Sequence, residues 1–196
     1  PGPGHLGHLA ELLEWVVRHG GDTVLTLPLL ATFLDEPQEV SPYSPVSRLM
    51  WNELYATLDR PAPDTAPDAL IDYHAAARHT RDAITQRVRE IDEDPIASGD
   101  VMRFLAERPD VVDYARFRAA QQRYGRNWRD WPAPLRDGVI EAADVDPREV
   151  RYHCVAQWLV DRQLGAMAAH ARERDLLLGL DLAIGTHPDG YDVWRN

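Results

Sequence analysis

Leu178-Gly-Leu-Asp-Leu-Ala-Ile-Gly-Thr-His-Pro-Asp-Gly-Tyr-Asp-Val-Trp-Arg195 is the stretch on which the reading of this chain turns. Its front half completes an apolar run from Leu176 to Ile184, interrupted by Asp181. Its back half turns through Gly185, Pro188 and Gly190, carries Asp189 and Asp192, and closes on Trp194. A short apolar run bounded by turn residues reads as a buried parallel strand. In parallel sheets the loops that leave the C-terminal ends of the strands carry the functional groups. The acids of this stretch are therefore candidates for a site.

The segment upstream is a helix. Asp146 can cap it, Pro147 suits its first position, and Glu149 stands where a capping box places an acid. It is expected to run to about Arg174, with Arg172 and Arg174 complementing the negative end of its dipole. The same order occurs at the front of the chain. Leu9, Leu12, Leu13, Val16 and Val17 form one apolar helical face. Gly20-Gly21 ends that helix, and Thr23 to Leu29 reads as a strand. A helix feeding a strand, found twice, is the rhythm of an α/β barrel or a doubly wound sheet.

The middle breaks this rhythm. Residues 30 to 66 carry prolines at 37, 42, 45, 61 and 63 and read as a long loop. Phe33, Tyr43, Trp51 and Tyr55 argue against disorder there, and Asn52 to Leu58 is expected to form a short strand. Residues 67 to 125 show helical stripes (Leu70, Tyr73 and Ala77; Ile84, Val88 and Ile91), a helix capped by Ser98, and another from Asp110 to Tyr124. Trp128 to Leu135 is a second aromatic loop.

Composition bounds the function. A net charge of −11 argues against nucleic acid and anionic membranes, which call for basic patches. All 21 basic residues are Arg, which reads as a codon bias. No apolar run reaches the roughly 18 residues of a membrane span. Pro1-Gly-Pro-Gly-His5 lacks both the plan of a signal peptide and an initiator Met, as in a processed or excised piece. The lone Cys154 cannot form an internal disulfide and suits a reducing, cytoplasmic setting. His5 with His8 and His74 with His79 make no tetrahedral zinc pattern, so no metal or other cofactor is expected. Gly2, Gly4 and Gly7 follow no strand and make no phosphate loop, and no Gly-x-Ser-x-Gly elbow occurs.

Four segments, in order, resemble the amylomaltase-type 4-α-glucanotransferases of glycoside hydrolase family 77. They are Ser41-Pro-Tyr-Ser44 with Asn52-Glu-Leu-Tyr55; Tyr114-Ala-Arg-Phe117 with Tyr124-Gly125, Trp128 and Trp131-Pro132; Gln157-Trp-Leu159 with Arg162-Gln163; and Asp181-Leu-Ala-Ile184 with Asp189 and Asp192-Val-Trp194. The chain is similar to the N-terminal portion of that family. The resemblance implies a partial (β/α)8 TIM-type barrel, helix-rich and carrying a helical insertion. Residues 1–66 would hold the first helix, barrel strand and substrate-side loop, residues 67–145 the insertion, and residues 146–196 the helix and strand leading to the Asp-rich loop.

The resemblance also implies retaining transfer of α-1,4-glucan segments, with maltooligosaccharide or glucan as the partner. The nucleophile and general acid would lie outside this chain, in the remainder of the barrel. No catalytic residue falls in this sequence, and alone the chain would be inactive. Tyr43 matches a sugar-contacting tyrosine, and Asp189 an aspartate supporting the donor subsite, with His187 favoured instead if the alignment slips. Ser41, Asn52, Asp181 and Trp194 match motif positions and complete the candidate substrate-binding set. Asp192 is expected to cap a following helix. Trp128 and Trp131 either stack on glucose rings or close the edge of the core. Two other readings stay open: a non-catalytic glucan-binding or regulatory fragment, and an unrelated α/β interaction protein.

Overall fold

The computed structural model describes residues 3–35, 38–39, 41–58 and 70–196. Pro37, Pro61, Pro63 and the expected boundary at residue 66 fall outside the described residues. The chain opens with helix α1 (Leu6–Arg18), held at its start by the His5 side chain, which accepts from Gly7 N–H. Gly20 has φ of +76°, the left-handed conformation that closes a helix and that glycine adopts without a Cβ clash. Strand β1 (Thr23–Thr26) follows and pairs in parallel with β2 (Leu177–Leu180), Thr23 facing Leu177 and Thr26 facing Leu180.

Between these strands lie α2 (Tyr73–Glu93), α3 (Pro95–Glu107), α4 (Pro109–Tyr124), the short α5 (Ala133–Arg136) and α6 (Pro147–Glu173); α7 (Tyr191–Arg195) comes last. Helix α6 is the axle of the fold. Val160, Leu164 and Met167 pack with Leu6 and Leu13 of α1. Val155 and Trp158 pack with Ile91 of α2 and Val101 of α3, and Tyr152 and Ala156 pack with Ile84 of α2. A helix buried on several sides needs apolar residues around much of its circumference. Fully burying each large aliphatic side chain contributes about 1.5–3 kcal/mol. A second core lies between α4, the turn after it and α7, where Tyr114, Phe117, Trp131, Tyr191 and Trp194 meet.

Several expectations are corrected. Strand β2 is not buried: Leu177 is 68% and Leu180 41% exposed, because the described residues give β2 one neighbour, β1. Both strands are also shorter than their apolar runs. After β1 the chain leaves the sheet and bridges Leu30 with Trp51, and Ala31 N–H donates to the Met50 carbonyl at 2.8 Å. Residues 52–58 hold no strand. Asn52 instead caps a 3-10 turn, Glu53–Tyr55, with its side chain. Ser98 lies inside α3, because Asp94 before Pro95 takes the cap and accepts from Ile96 and Ala97 N–H. Asp146 caps α6 as expected. Glu149, however, pairs with Arg81 of α2, since an opposing guanidinium outcompetes the helix's own backbone N–H for its carboxylate.

Candidate functional site

Two loops leave the C-terminal ends of the parallel strands, residues 27–52 after β1 and 181–190 after β2. They are laced together. His187 N–H donates to the Pro45 carbonyl at 2.8 Å. The Asp192 carboxylate accepts from Ser47 Oγ at 2.6 Å and from Arg48 N–H at 2.8 Å. Asp192 was expected to cap a helix, but it lies in the first turn of α7 and ties the two loops instead. A Cβ on Gly190 would stand 2.5 Å from the Val46 carbonyl oxygen, so only glycine permits this approach. Gly190→Ala is therefore expected to cost about 1–3 kcal/mol in chemical denaturation, as overpacking does. An unchanged midpoint would show that the loops are not in close contact.

Tyr43 and Asp181 are brought together at this junction. The Tyr43 hydroxyl donates to Asp181 Oδ2 at 3.1 Å across 138 positions of sequence. That hydrogen bond is the main cause holding the phenol above its ordinary pKa. Tyr43 is 52% exposed, so its ring is presented to solvent. Asp181 is exposed as well. Its place in an apolar run suggested burial, but β2 ends at Leu180 and releases it. Ser41 shapes the turn beneath: its Oγ accepts from Tyr43 N–H at 3.3 Å, and its own N–H donates to Glu39 Oε1 at 2.9 Å.

Asp189 makes a separate contact. Its carboxylate pairs with Arg129 at 3.2 Å. Its N–H donates to His187 Nδ1 at 3.0 Å, and its carbonyl accepts from Gln121 Nε2 at 3.0 Å. The last two candidates lie inside the protein. Asn52 is buried, accepting from Leu54 N–H and donating to Thr32 Oγ1, both at 3.0 Å. Trp194 is buried too, with its indole N–H donating to the Leu135 carbonyl at 2.8 Å. Both residues shape the loops from within and have no face left for a ligand. Trp131 is likewise core, whereas Trp128 is half-buried under the Arg129 guanidinium at 4.2 Å.

Sequence reasoning missed Ser47, Arg48, Gln121 and Arg129. Ser47-Arg48 lies just past the Ser41-Pro-Tyr-Ser44 segment, beyond Pro45 and Val46, and Arg129 sits between two tryptophans read only as aromatics. Polar residues of this kind carry no periodicity, so pattern alone does not expose them. No group of three or more His, Cys, Asp or Glu side chains among the described residues is placed to hold a metal ion. No helix among them is long and apolar enough to cross a membrane. Away from the junction, a cavity of about 440 Å³ lies between α2, α4 and α6, with Glu53, Arg81, Arg118 and His153 on its walls.

A helix-rich chain with a parallel strand pair, whose motif-bearing loops meet at the strand C-termini, is an α/β protein. The 4-alpha-glucanotransferase family model of glycoside hydrolases matches residues 1–196, and the chain belongs to that family. It is 31% identical to the 4-alpha-glucanotransferase of Mycobacterium tuberculosis (strain ATCC 25618 / H37Rv), with 98% of this chain and 31% of the relative aligned. It is 30% identical to that of Thermus thermophilus, over 100% of this chain and 42% of the relative. The chain thus spans about a third to two fifths of the length of these relatives. Among solved structures, amylomaltase from Streptococcus agalactiae in complex with acarbose superposes with a TM-score of 0.78 at 19% identity, covering 97% of this chain and 42% of that one. Amylomaltase from Corynebacterium glutamicum gives 0.65 at 23%, covering 96% and 29%. The fold is therefore that of the corresponding part of the amylomaltases.

Proposed function

We propose that this chain is the N-terminal portion of a 4-alpha-glucanotransferase and forms one wall of its α-1,4-glucan cleft. The match of the whole chain to that family carries the proposal. In this reading β1 and β2 are neighbouring strands of a (β/α)8 barrel, residues 67–145 are inserted between them, and the remaining strands complete the sheet. The partner is a maltooligosaccharide or longer α-1,4-glucan.

The chemistry is retaining transfer. A carboxylate attacks the anomeric carbon while an acid protonates the leaving oxygen, and a sugar hydroxyl then displaces the enzyme. The resemblance assigns both groups to later barrel strands. The residues present here bind and orient. The exposed Tyr43 ring offers an apolar surface to a pyranose face, and its hydroxyl is held by Asp181 at 3.1 Å. That bond fixes the ring before sugar arrives, which lowers the ordering cost of binding. Asp189, partly exposed, offers a carboxylate to sugar hydroxyls.

Isothermal titration of maltoheptaose into the 196-residue chain tests this. Heat of binding is expected, and Tyr43→Ala should weaken it about tenfold, the worth of one well-placed contact. Absence of heat from the wild type, or equal affinity in the variant, would sink the proposal.

A further inference from the structure

Asp189 is held by more than its own loop. Its backbone is pinned on both sides, the N–H on His187 and the carbonyl under Gln121 of α4. Its side chain is held by Arg129, whose Nη1 lies 3.2 Å from Asp189 Oδ1 and 3.3 Å from the Pro188 carbonyl. Arg129 is itself prepared. Its guanidinium lies over the Trp128 ring at 4.2 Å, and the Trp128 indole N–H points to the same Pro188 carbonyl at 3.4 Å. The neighbouring acid does not compete for it, because Asp130 accepts from Asn127 Nδ2 at 2.7 Å. Asn127 also caps the short turn Trp128–Asp130 that sets the direction of Arg129. The second carboxylate oxygen of Asp189 has no hydrogen bond among the described residues.

The ion pair contributes little to stability. Arg129 is 46% exposed and Asp189 27%, and pairs so open to solvent are worth about 0–1 kcal/mol. Its effect is geometric instead. Nη1 donates to the Pro188 carbonyl and to Asp189 Oδ1 at once, which ties that one oxygen to the backbone of its own loop and leaves the other turned outward. We propose that Arg129 is a positioning residue for the glucan wall, holding one oxygen of Asp189 so that the other meets sugar hydroxyls in a set direction. The inference rests on the glucan reading above and adds to it a contribution from the turn between α4 and α5.

The test is a double-mutant cycle in the 196-residue chain, read by titration with maltoheptaose. Asp189→Ala and Arg129→Ala should each weaken binding about tenfold, and the double variant should bind about as Asp189→Ala does, because both remove one oriented carboxylate. Arg129→Lys should fall between Arg129→Ala and the wild type. The melting temperature of Arg129→Ala should stay within about 2 °C of the wild type, which separates positioning from a structural role. Independent losses, with the double variant about a hundredfold weaker, would overturn the inference, as would unchanged binding by Arg129→Ala. Wild-type chain that gives no heat overturns the glucan reading and this inference together. Wild-type heat with an indifferent Arg129→Ala overturns this inference alone.

Discussion

Phe117→Ala is expected to destabilise the chain by about 3–5 kcal/mol, the cost of emptying a filled aromatic site. Phe117 is fully buried, with its ring centroid 5.0 Å from that of Trp194, 5.5 Å from Trp131 and 5.6 Å from Tyr191. Aromatic pairs at these separations add to the burial energy. The other rings cannot collapse into the void. The Trp131 N–H is fixed to the Gly125 carbonyl and the Trp194 N–H to the Leu135 carbonyl, both at 2.8 Å. For a chain of this size the loss corresponds to a fall of about 10 °C in melting temperature. Tyr191 and Trp194 follow directly on the loop after β2, so the variant should also weaken maltoheptaose binding. A drop of less than about 3 °C by calorimetry would show that this aromatic cluster is not the core of the helical half.

Arg118→Ala is expected to cost a similar 3–5 kcal/mol, for an electrostatic reason. The Arg118 side chain is 7% exposed, donates to the Tyr114 hydroxyl at 3.2 Å and approaches Asp35 at 3.4 Å. Burial works against its charge, but Tyr114, Asp35 and Glu53 more than offset this and hold its pKa above the usual value. Burial likewise pushes Tyr114 up to about 12. Glu53 is 3% exposed, and one of its carboxylate oxygens has no hydrogen-bond partner among the described residues. Burial raises its pKa, and Arg118 is the largest influence opposing that rise. Without Arg118, the buried carboxylate loses its main compensating charge.

The pH dependence follows with a definite sign. A carboxyl whose folded pKa lies above its ordinary 4.5 binds more proton in the folded state, so stability falls as pH rises through the folded value. Arg118→Ala should raise that value further and extend the fall to higher pH. Adding Glu53→Gln to Arg118→Ala should recover part of the loss and flatten the pH profile. Denaturation midpoints between about pH 5 and 8 check both points. An Arg118→Ala chain within about 1 kcal/mol of the wild type, or no recovery from Glu53→Gln, would contradict the account.

The sequence was informative wherever local chemistry sets local structure. Asp146-Pro147 marks the start of α6, the Leu9 to Val17 stripe marks α1, and Gly20 marks its end, because caps and periodic apolar faces act within a turn or two of chain. The Ser-Pro-Tyr and Asp-rich segments pointed to the family that the whole chain matches. Errors arose where several elements compete for one group. Glu149 left its capping box for Arg81, Asp192 left its helix for Ser47 and Arg48, and Asn52 turned inward to Thr32.

Helices α1 and α6, their termini and the family were thus settled by the sequence itself, since each rests on near neighbours or on a motif read in order. Which candidate side chains face outward, and which hold one another, was decided only by the tertiary structure. Tyr43 meets Asp181 across 138 positions and Arg129 meets Asp189 across 60, and no local propensity encodes such pairings. The first exists because α6 carries β2 back beside β1 and so brings the two strand loops into reach, and the second because the aromatic core between α4 and α7 sets the turn after α4 against the loop after β2.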